Sequence, residues 1–208
     1  CYADKREAKN LLSLKKIEEM IKEARELDIL SFSISGGEFF MYNEWEKVLD
    51  ILERSNYKLD VISTKIPLSR ETILKFRKYK ILLQISLDTL NVNRNYIKKI
   101  KDTILLLEKY EISYQITTVL TKYNATLKDI KDIYQFIKNL KFIRRWEVRE
   151  SFKSLYSKQE FDSIKLSGDD FIKIEKWIIR LINNDANKIN ILWSTNTSRK
   201  CFNDDKGS

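Results

Sequence analysis

The sequence predicts an α/β protein built on a parallel sheet, a partial (β/α)6 barrel whose inner wall is polar. Three observations lead there. Five strand-like segments alternate with helical ones, one βα unit roughly every 25–30 residues, which is the spacing of helical crossovers between parallel strands. No hairpin dipeptide joins neighbouring strands, and Pro67 is the sole proline. The strands also alternate, with one polar face: Ser31, Ser33 and Ser35; Gln84, Ser86 and Asp88; Ser113, Gln115 and Thr117; Arg145, Glu147 and Arg149. A doubly wound sheet, covered by helices on both faces, reads as near-continuous apolar runs instead. A packed (β/α)8 interior is branched and apolar. Helices on one side and a polar wall on the other describe a barrel with a wet, ligand-holding interior.

In chain order, Ser13 caps a first helix whose Leu14, Ile17, Ile21, Ala24 and Leu27 share a face. A strand over 29–35 follows, with Leu30, Phe32 and Ile34 on one side and the serines on the other. It breaks on Gly36-Gly37 and Glu38; two glycines at a strand end let the backbone approach a ligand with no Cβ in the way. Asn43 as N-cap and Glu46 three residues on form a capping box for a helix with Trp45, Val48, Leu49 and Leu52 inward. The strand Leu59–Thr64 precedes a short helix marked by Ile73 and Phe76. Strand 81–88 leads to a helix bearing Ile97, Ile100, Ile104 and Leu107. Strand 112–120 leads to one bearing Leu127, Ile130, Ile133, Tyr134 and Ile137, and strand 142–149 closes the series. Residues 151–166 read as a polar connection. Ser167 with Asp170 caps a helix with Phe171, Ile174, Trp177, Ile178, Leu181 and Ile182, and 189–193 reads as a short final strand.

Composition narrows the chemistry. The 208 residues suffice for one α/β domain with a real core. The chain contains no histidine, which removes Ser-His-Asp and Cys-His nucleophiles and His-ligated zinc. Its two cysteines, Cys1 and Cys201, stand at opposite ends, too few for a disulfide framework. No apolar run reaches the ~20 residues that span a bilayer, and no signal-peptide pattern opens the chain, so a cytoplasmic protein is expected. Opening on Cys1 rather than Met points to an interior piece of a longer protein. The +9 formal charge fits two readings: lysines on solvated helix faces, or attraction to an acidic peptide or RNA.

Singly, Gly-Gly-Glu and Ser-Leu-Asp are common; their order is what counts. Cys1-Tyr2 comes first, then a capped helix and a strand ending in Ser35-Gly36-Gly37-Glu38. Strands ending in Ser63-Thr64 and in Gln84-Ile85-Ser86-Leu87-Asp88 follow, with Thr117-Thr118-Val119 after them. Residues 1–150 in this arrangement resemble the radical S-adenosylmethionine (SAM) enzymes, and among them the peptide-modifying maturases with a C-terminal SPASM or twitch-like cluster domain.

The resemblance implies a barrel of radical SAM type, incomplete at its N-terminus, with residues 151–200 a connecting helical segment and 201–208 the start of an auxiliary-cluster domain. It implies a [4Fe–4S] cluster held by a CxxxCxxC loop, of which Cys1 would be the third cysteine and Tyr2 the aromatic that follows, Tyr2 also being a candidate SAM contact. Cys201 becomes a candidate ligand of an auxiliary [4Fe–4S] cluster, or else a lone thiol. Gly36, Gly37 and Glu38 match the motif that binds the SAM amino group, with Ser35 leading into it. Ser63 and Thr64 match polar residues near the cofactor, and Ser86 and Asp88 match the pair that contacts its ribose or methionine end; Thr117 follows on the next strand. Arg94 is the candidate for neutralising the SAM carboxylate, a task suited to a guanidinium, or a surface arginine at a helix start. The implied reaction is reductive cleavage of SAM to a 5′-deoxyadenosyl radical that abstracts hydrogen from a substrate, a peptide or protein first, with an external electron donor; RNA is the alternative substrate. A non-catalytic α/β binding module also stays open, as does the choice for Arg145, Glu147 and Arg149 between orienting a ligand and forming a structural ion-pair network. The sequence departs from the family pattern at Phe39, where proline is usual, at Lys65-Ile66, where asparagine-glycine is common, and at Thr89, where glycine is usual.

Overall fold

The computed structural model describes residues 12–29, 31–34, 38–56, 58–91, 94–151, 164, 166, 168–184 and 189–195; the side chains of 31–33, 58–60 and 94 lie outside that description. The elements run α1 (Leu14–Glu26), β1 (Ser31–Ile34), a 3-10 turn (Phe39–Met41), α2 (Trp45–Arg54), β2 (Lys58–Thr64), α3 (Arg70–Phe76), β3 (Leu82–Ser86), α4 (Arg94–Lys109), β4 (Tyr114–Leu120), α5 (Leu127–Ile137), β5 (Ile143–Glu150), α6 (Gly168–Ile182) and β6 (Ile191–Ser194). The strands form one six-stranded sheet in sequence order, and every neighbouring pair is parallel. The short strand expected at 189–193 is the sixth, so six strands are present where the βα series itself counted five.

Hydroxyl caps start three helices, the first of them at Ser13 as the sequence predicts. Ser13 Oγ accepts from Lys16 N–H (3.2 Å), Ser69 Oγ from Thr72 N–H (3.0 Å) and Thr126 Oγ1 from Asp129 N–H (3.1 Å). The capping box at α2 does not form. Glu44, not Asn43, is the N-cap, with no side-chain cap bond. Phe39–Met41 winds into a 3-10 turn whose follow-on, Trp45 N–H to Tyr42 C=O (3.1 Å), carries the chain one residue further before the helix begins. Glu46 then lies near Lys75 of α3 (3.5 Å) instead of reaching back. Leu27, expected inward, is the C-cap of α1 and 73 % exposed. The cap expected at Ser167 lies outside the described residues.

The core lies between the sheet and its helices. Leu83, Ile85, Ile116, Trp146 and Val148 are fully buried on the helix side, where Trp146 stacks on Tyr134 (6.2 Å between centroids) and donates Nε1–H to Thr118 Oγ1 (3.0 Å). Glu108, near the end of α4, ties the entries of two strands together. It accepts the Tyr114 hydroxyl (2.8 Å) and the N–H groups of Lys141 (2.8 Å) and Phe142 (2.9 Å), and burial followed by that carboxylate pushes the Tyr114 phenol well up. The opposite face is the polar one the sequence predicts: Gln84 and Ser86 of β3 are half-buried while Leu83 and Ile85 beside them are buried.

Register assembles that face into rows. Ser63, Gln84, Gln115 and Arg145 are successive partners across β2 to β5; Ser86, Thr117, Glu147 and Leu192 form the next row across β3 to β6. The first row depends on a bulge. Tyr114 pairs with Ile143 and Gln115 with Arg145, leaving Arg144 extra, so Arg145 turns to the inner face. The displaced Arg144 donates Nε–H to Ser113 Oγ (2.9 Å).

Candidate functional site

Parallel strands end on one rim, and loops leaving that rim bring together residues far apart in sequence. Glu38, just past β1, is fixed there by β2: its Oε1 accepts the Thr64 hydroxyl (2.6 Å) and its Oε2 accepts Lys65 N–H (2.9 Å). A carboxylate has about four lone-pair sites, so one per oxygen remains for a ligand. Thr64 is 1 % exposed and spends its hydroxyl on Glu38; it holds the carboxylate in place.

Asp88 lies two residues beyond the end of β3, not within the strand as the sequence suggested. Its Oδ1 accepts Val119 N–H (2.8 Å). Burial pushes its carboxyl above the ordinary value, opposed by that amide and by the Lys65 charge. Asn124 stitches the loops after β3 and β4 together: Nδ2 donates to Asp88 C=O (2.7 Å) and Val119 C=O (2.8 Å), while Oδ1 accepts Thr121 N–H (2.7 Å) and its hydroxyl (2.8 Å). Tyr96, in the first turn of α4, donates its hydroxyl to Lys65 C=O. The Lys65 peptide is thus gripped on both sides, by Glu38 at its N–H and by Tyr96 at its carbonyl. Burial, then the charges of Asp88 and Glu38, raise the Tyr96 phenol.

Below this rim, Thr117 is 3 % exposed and its Oγ1 has no hydrogen-bond partner among the described residues; Ser86 and Glu147 flank it in register. The Arg145-Glu147-Arg149 series divides. Arg149 and Glu147 form an ion pair, with Nε 2.7 Å from Oε1 and Nη2–H donating to Oε2 (2.7 Å), whereas Arg145 turns to Gln115. The network reading of that series therefore holds for two of its three members.

The structure brings Glu38, Thr64 and Asp88 together at the rim, with Ser63, Ser86 and Thr117 on the face beneath. Arg94 opens α4, as expected of a helix start, and its side chain is not described. Cys1, Tyr2, Ser35, Gly36, Gly37 and Cys201 lie outside the described residues. Sequence reasoning missed Tyr96 and Asn124. A tyrosine in a helix's first turn and an asparagine in a loop carry no local signal; only their partners, 31 and 36 residues away, give them meaning.

These residues fit SAM. Two carboxyl groups at the rim suit its ammonium and sulfonium charges, and Thr117 offers a buried hydroxyl that has no hydrogen-bond partner among the described residues, which a bound group can satisfy. The cluster is another matter: no group of three or more His, Cys, Asp or Glu among the described residues could hold a metal, and both cysteines fall outside them.

An α/β partial barrel with a polar inner face and carboxylates converging at its strand ends is the class of protein these features define. The profile of the Radical SAM superfamily matches residues 1–137, and the chain belongs to that superfamily of enzymes. No curated protein matches in sequence. Among solved structures, SuiB of Streptococcus suis bound to S-adenosylmethionine is 24 % identical with a TM-score of 0.74, over 93 % of this chain and 46 % of that one. SuiB bound to its precursor peptide SuiA gives 22 %, 0.73, 94 % and 44 %. Native anSMEcpe with bound AdoMet and the Kp18Cys peptide gives 18 %, 0.70, 92 % and 58 %. At these identities the likeness establishes the fold, and the chain spans about half the length of the structures it matches. No described helix is long and apolar enough to cross a membrane.

Proposed function

We propose that the protein carrying this chain is a radical SAM enzyme that modifies a peptide or protein. The observation that carries the reading is the convergence of Glu38, Asp88 and Thr117 at and beneath one sheet edge, in a chain whose superfamily is established by 137 matched residues. When bound, SAM and a [4Fe–4S] cluster together supply reductive cleavage to a 5′-deoxyadenosyl radical that removes hydrogen from a substrate. This chain's residues supply the setting. Glu38, held by Thr64 and the Lys65 amide, binds the SAM ammonium; Asp88 and Ser86 bind the ribose or methionine end; the Thr117 hydroxyl donates to or accepts from the bound molecule. Gly36 and Gly37 allow close approach, Arg94 offsets the carboxylate, and Cys1 provides one cluster thiolate, with Cys201 available to an auxiliary cluster.

A peptide substrate is supported by structural neighbours whose solved complexes contain peptides. RNA is less well supported. Lysines on α1, α2, α3 and α5 pair with acids of the same helix or its cap, Lys16 with Glu19, Lys47 with Glu44, Lys75 with Glu71 and Lys128 with Asp132, which is the pattern of a solvated helical surface. The binding-module reading has the superfamily match against it.

The test is product analysis. Full-length protein, reconstituted anaerobically with iron and sulfide, is given dithionite and SAM, and 5′-deoxyadenosine is measured by chromatography. Product that disappears in Cys1→Ala and drops at least tenfold in Glu38→Gln is the expected result. A fully cluster-loaded wild type that yields no product overturns the proposal.

A further inference from the structure

The first row of the inner face is a hydrogen-bond chain with a direction. Arg145 Nη2–H donates to Gln115 Oε1 (2.9 Å), Gln115 Nε2–H to Gln84 Oε1 (2.5 Å), and Gln84 Nε2–H to Ser63 Oγ (3.3 Å). Amide oxygen and nitrogen are ordinarily hard to tell apart, and their assignment follows the network. Here the network leaves no choice. A guanidinium has five donors and no acceptor, so Gln115 must turn its oxygen to Arg145 and its nitrogen to Gln84. Gln84 must then turn its oxygen to Gln115 and its nitrogen to Ser63. Ser63 receives that N–H on a lone pair, and its own proton has no acceptor among the described residues.

Two further facts give the chain a use. Arg145 forms no ion pair among the described residues, its buried Nε has no hydrogen-bond partner there, and its Nη2–H donates to Gln115, so its charge polarises the amides along the row. Ser63 is the penultimate residue of β2, next to the Thr64 that fixes Glu38, and it is half-buried on the inner face. The arginine enters the sheet row at β5, and its effect emerges three strands away beside the rim.

We propose that Arg145 is a positioning residue: through Gln115 and Gln84 it sets the Ser63 hydroxyl as a hydrogen-bond donor to an oxygen of bound SAM. This rests on the reading above that the strand ends bind SAM. The amide orientations make it testable by charge type. Lysine at 145 also only donates, and preserves the direction. Glutamate only accepts; it draws Gln115 Nε2–H, turns both amides over, and makes Ser63 donate inward to Gln84 Oε1. Methionine leaves both amides free to turn.

The experiment measures the dissociation constant of SAM, by equilibrium dialysis with radiolabelled SAM, for full-length reconstituted protein and for Ser63→Ala, Arg145→Lys, Arg145→Met and Arg145→Glu. Cluster content and thermal midpoint are recorded for each. Ser63→Ala is expected to bind about 5–10-fold more weakly, the effect of one hydrogen bond. Arg145→Lys stays within about twofold of wild type, Arg145→Met falls between, and Arg145→Glu matches Ser63→Ala. In the Ser63→Ala background, Arg145→Glu adds nothing. Equal binding by Arg145→Lys and Arg145→Glu overturns the relay, as do effects that add in full to Ser63→Ala. If Arg145→Glu does not fold, Arg145→Met against Arg145→Lys decides the same question. A wild type that fails to bind SAM overturns the functional reading itself and the relay with it; a wild type that binds, with all variants equal to it, overturns the relay alone.

Discussion

Arg145 and Trp146 are neighbours in sequence and belong to different environments. Trp146 points to the helices, is fully buried, stacks on Tyr134 and has its N–H satisfied by Thr118. Arg145 points to the inner face, where it touches a glutamine and its Nε has no hydrogen-bond partner among the described residues. The same division runs through β3 and β4: Ile85 and Ile116 are fully buried in the core, while Gln84, Ser86 and Thr117 face inward. One face of the sheet is finished by folding. The other keeps hydrogen-bonding capacity in reserve, at some cost in stability, and that is what a ligand-binding wall requires.

The sharpest way to break this comparison is to truncate one residue on each face and follow urea unfolding. Trp146→Ala is expected to lose about 3–5 kcal/mol, through cavity formation and loss of the Thr118 bond. Arg145→Met, one position away, is expected to change stability by less than about 1 kcal/mol, because an apolar chain of similar length replaces a cation with no counter-ion among the described residues. Comparable losses at the two positions would mean that the inner face is as structural as the outer.

Next in size is Asn124→Ala. It removes the four hydrogen bonds of the Asn124 amide, one across to Asp88 C=O beyond β3 and three within β4 and the loop after it, and leaves buried carbonyls unsatisfied, at about 2–3 kcal/mol. Because the loops present Asp88, SAM binding should weaken along with stability, measured by unfolding and equilibrium dialysis on the same preparation. Thr117→Val separates the two. With no partner for its hydroxyl among the described residues, the fold should be unchanged to within about 0.5 kcal/mol, while SAM binding falls by about 1 kcal/mol. A loss of stability without a loss of binding would move Thr117 to the structural side of the comparison.

The smallest effect expected is a pH slope from Asp88. Burial raises its folded carboxyl above the ordinary 3.8. Between that value and the raised one the folded state holds more protons than the unfolded, so stability falls as pH rises through the interval. Asp88→Asn should flatten that part of the stability–pH curve, read from denaturant midpoints. A slope unchanged in the variant would assign it to other carboxyls.

Much of the fold was legible in the sequence. Periodicity of 2 in the strands and 3.6 in the helices is a local property, and it located all six described strands, the caps at Ser13 and the inward faces of α4 and α5. The failed capping box is instructive. Asn43 and Glu46 have the right spacing, but the 3-10 turn over Phe39–Met41 delays the helix start to Trp45, and Phe39 and Phe40 pack against Trp45 and Phe76. That packing is tertiary and outweighs a local cap.

Sequence alone determined the element order and the polar and apolar sides of the strands, because each follows from short-range periodicity; the candidate residues Glu38, Ser63, Ser86, Asp88 and Thr117 came from the order of motifs that resembles the radical SAM pattern. Tertiary structure decided which of them meet. The clamp on Glu38 uses residues 26 and 27 positions away; Asn124 and Tyr96 act across 36 and 31; the Arg145 row needs a one-residue bulge to place a guanidinium opposite Gln115. Pairing register is set by the packing of the whole sheet, and a slip of one residue would send the strand side chains of that row to the other face.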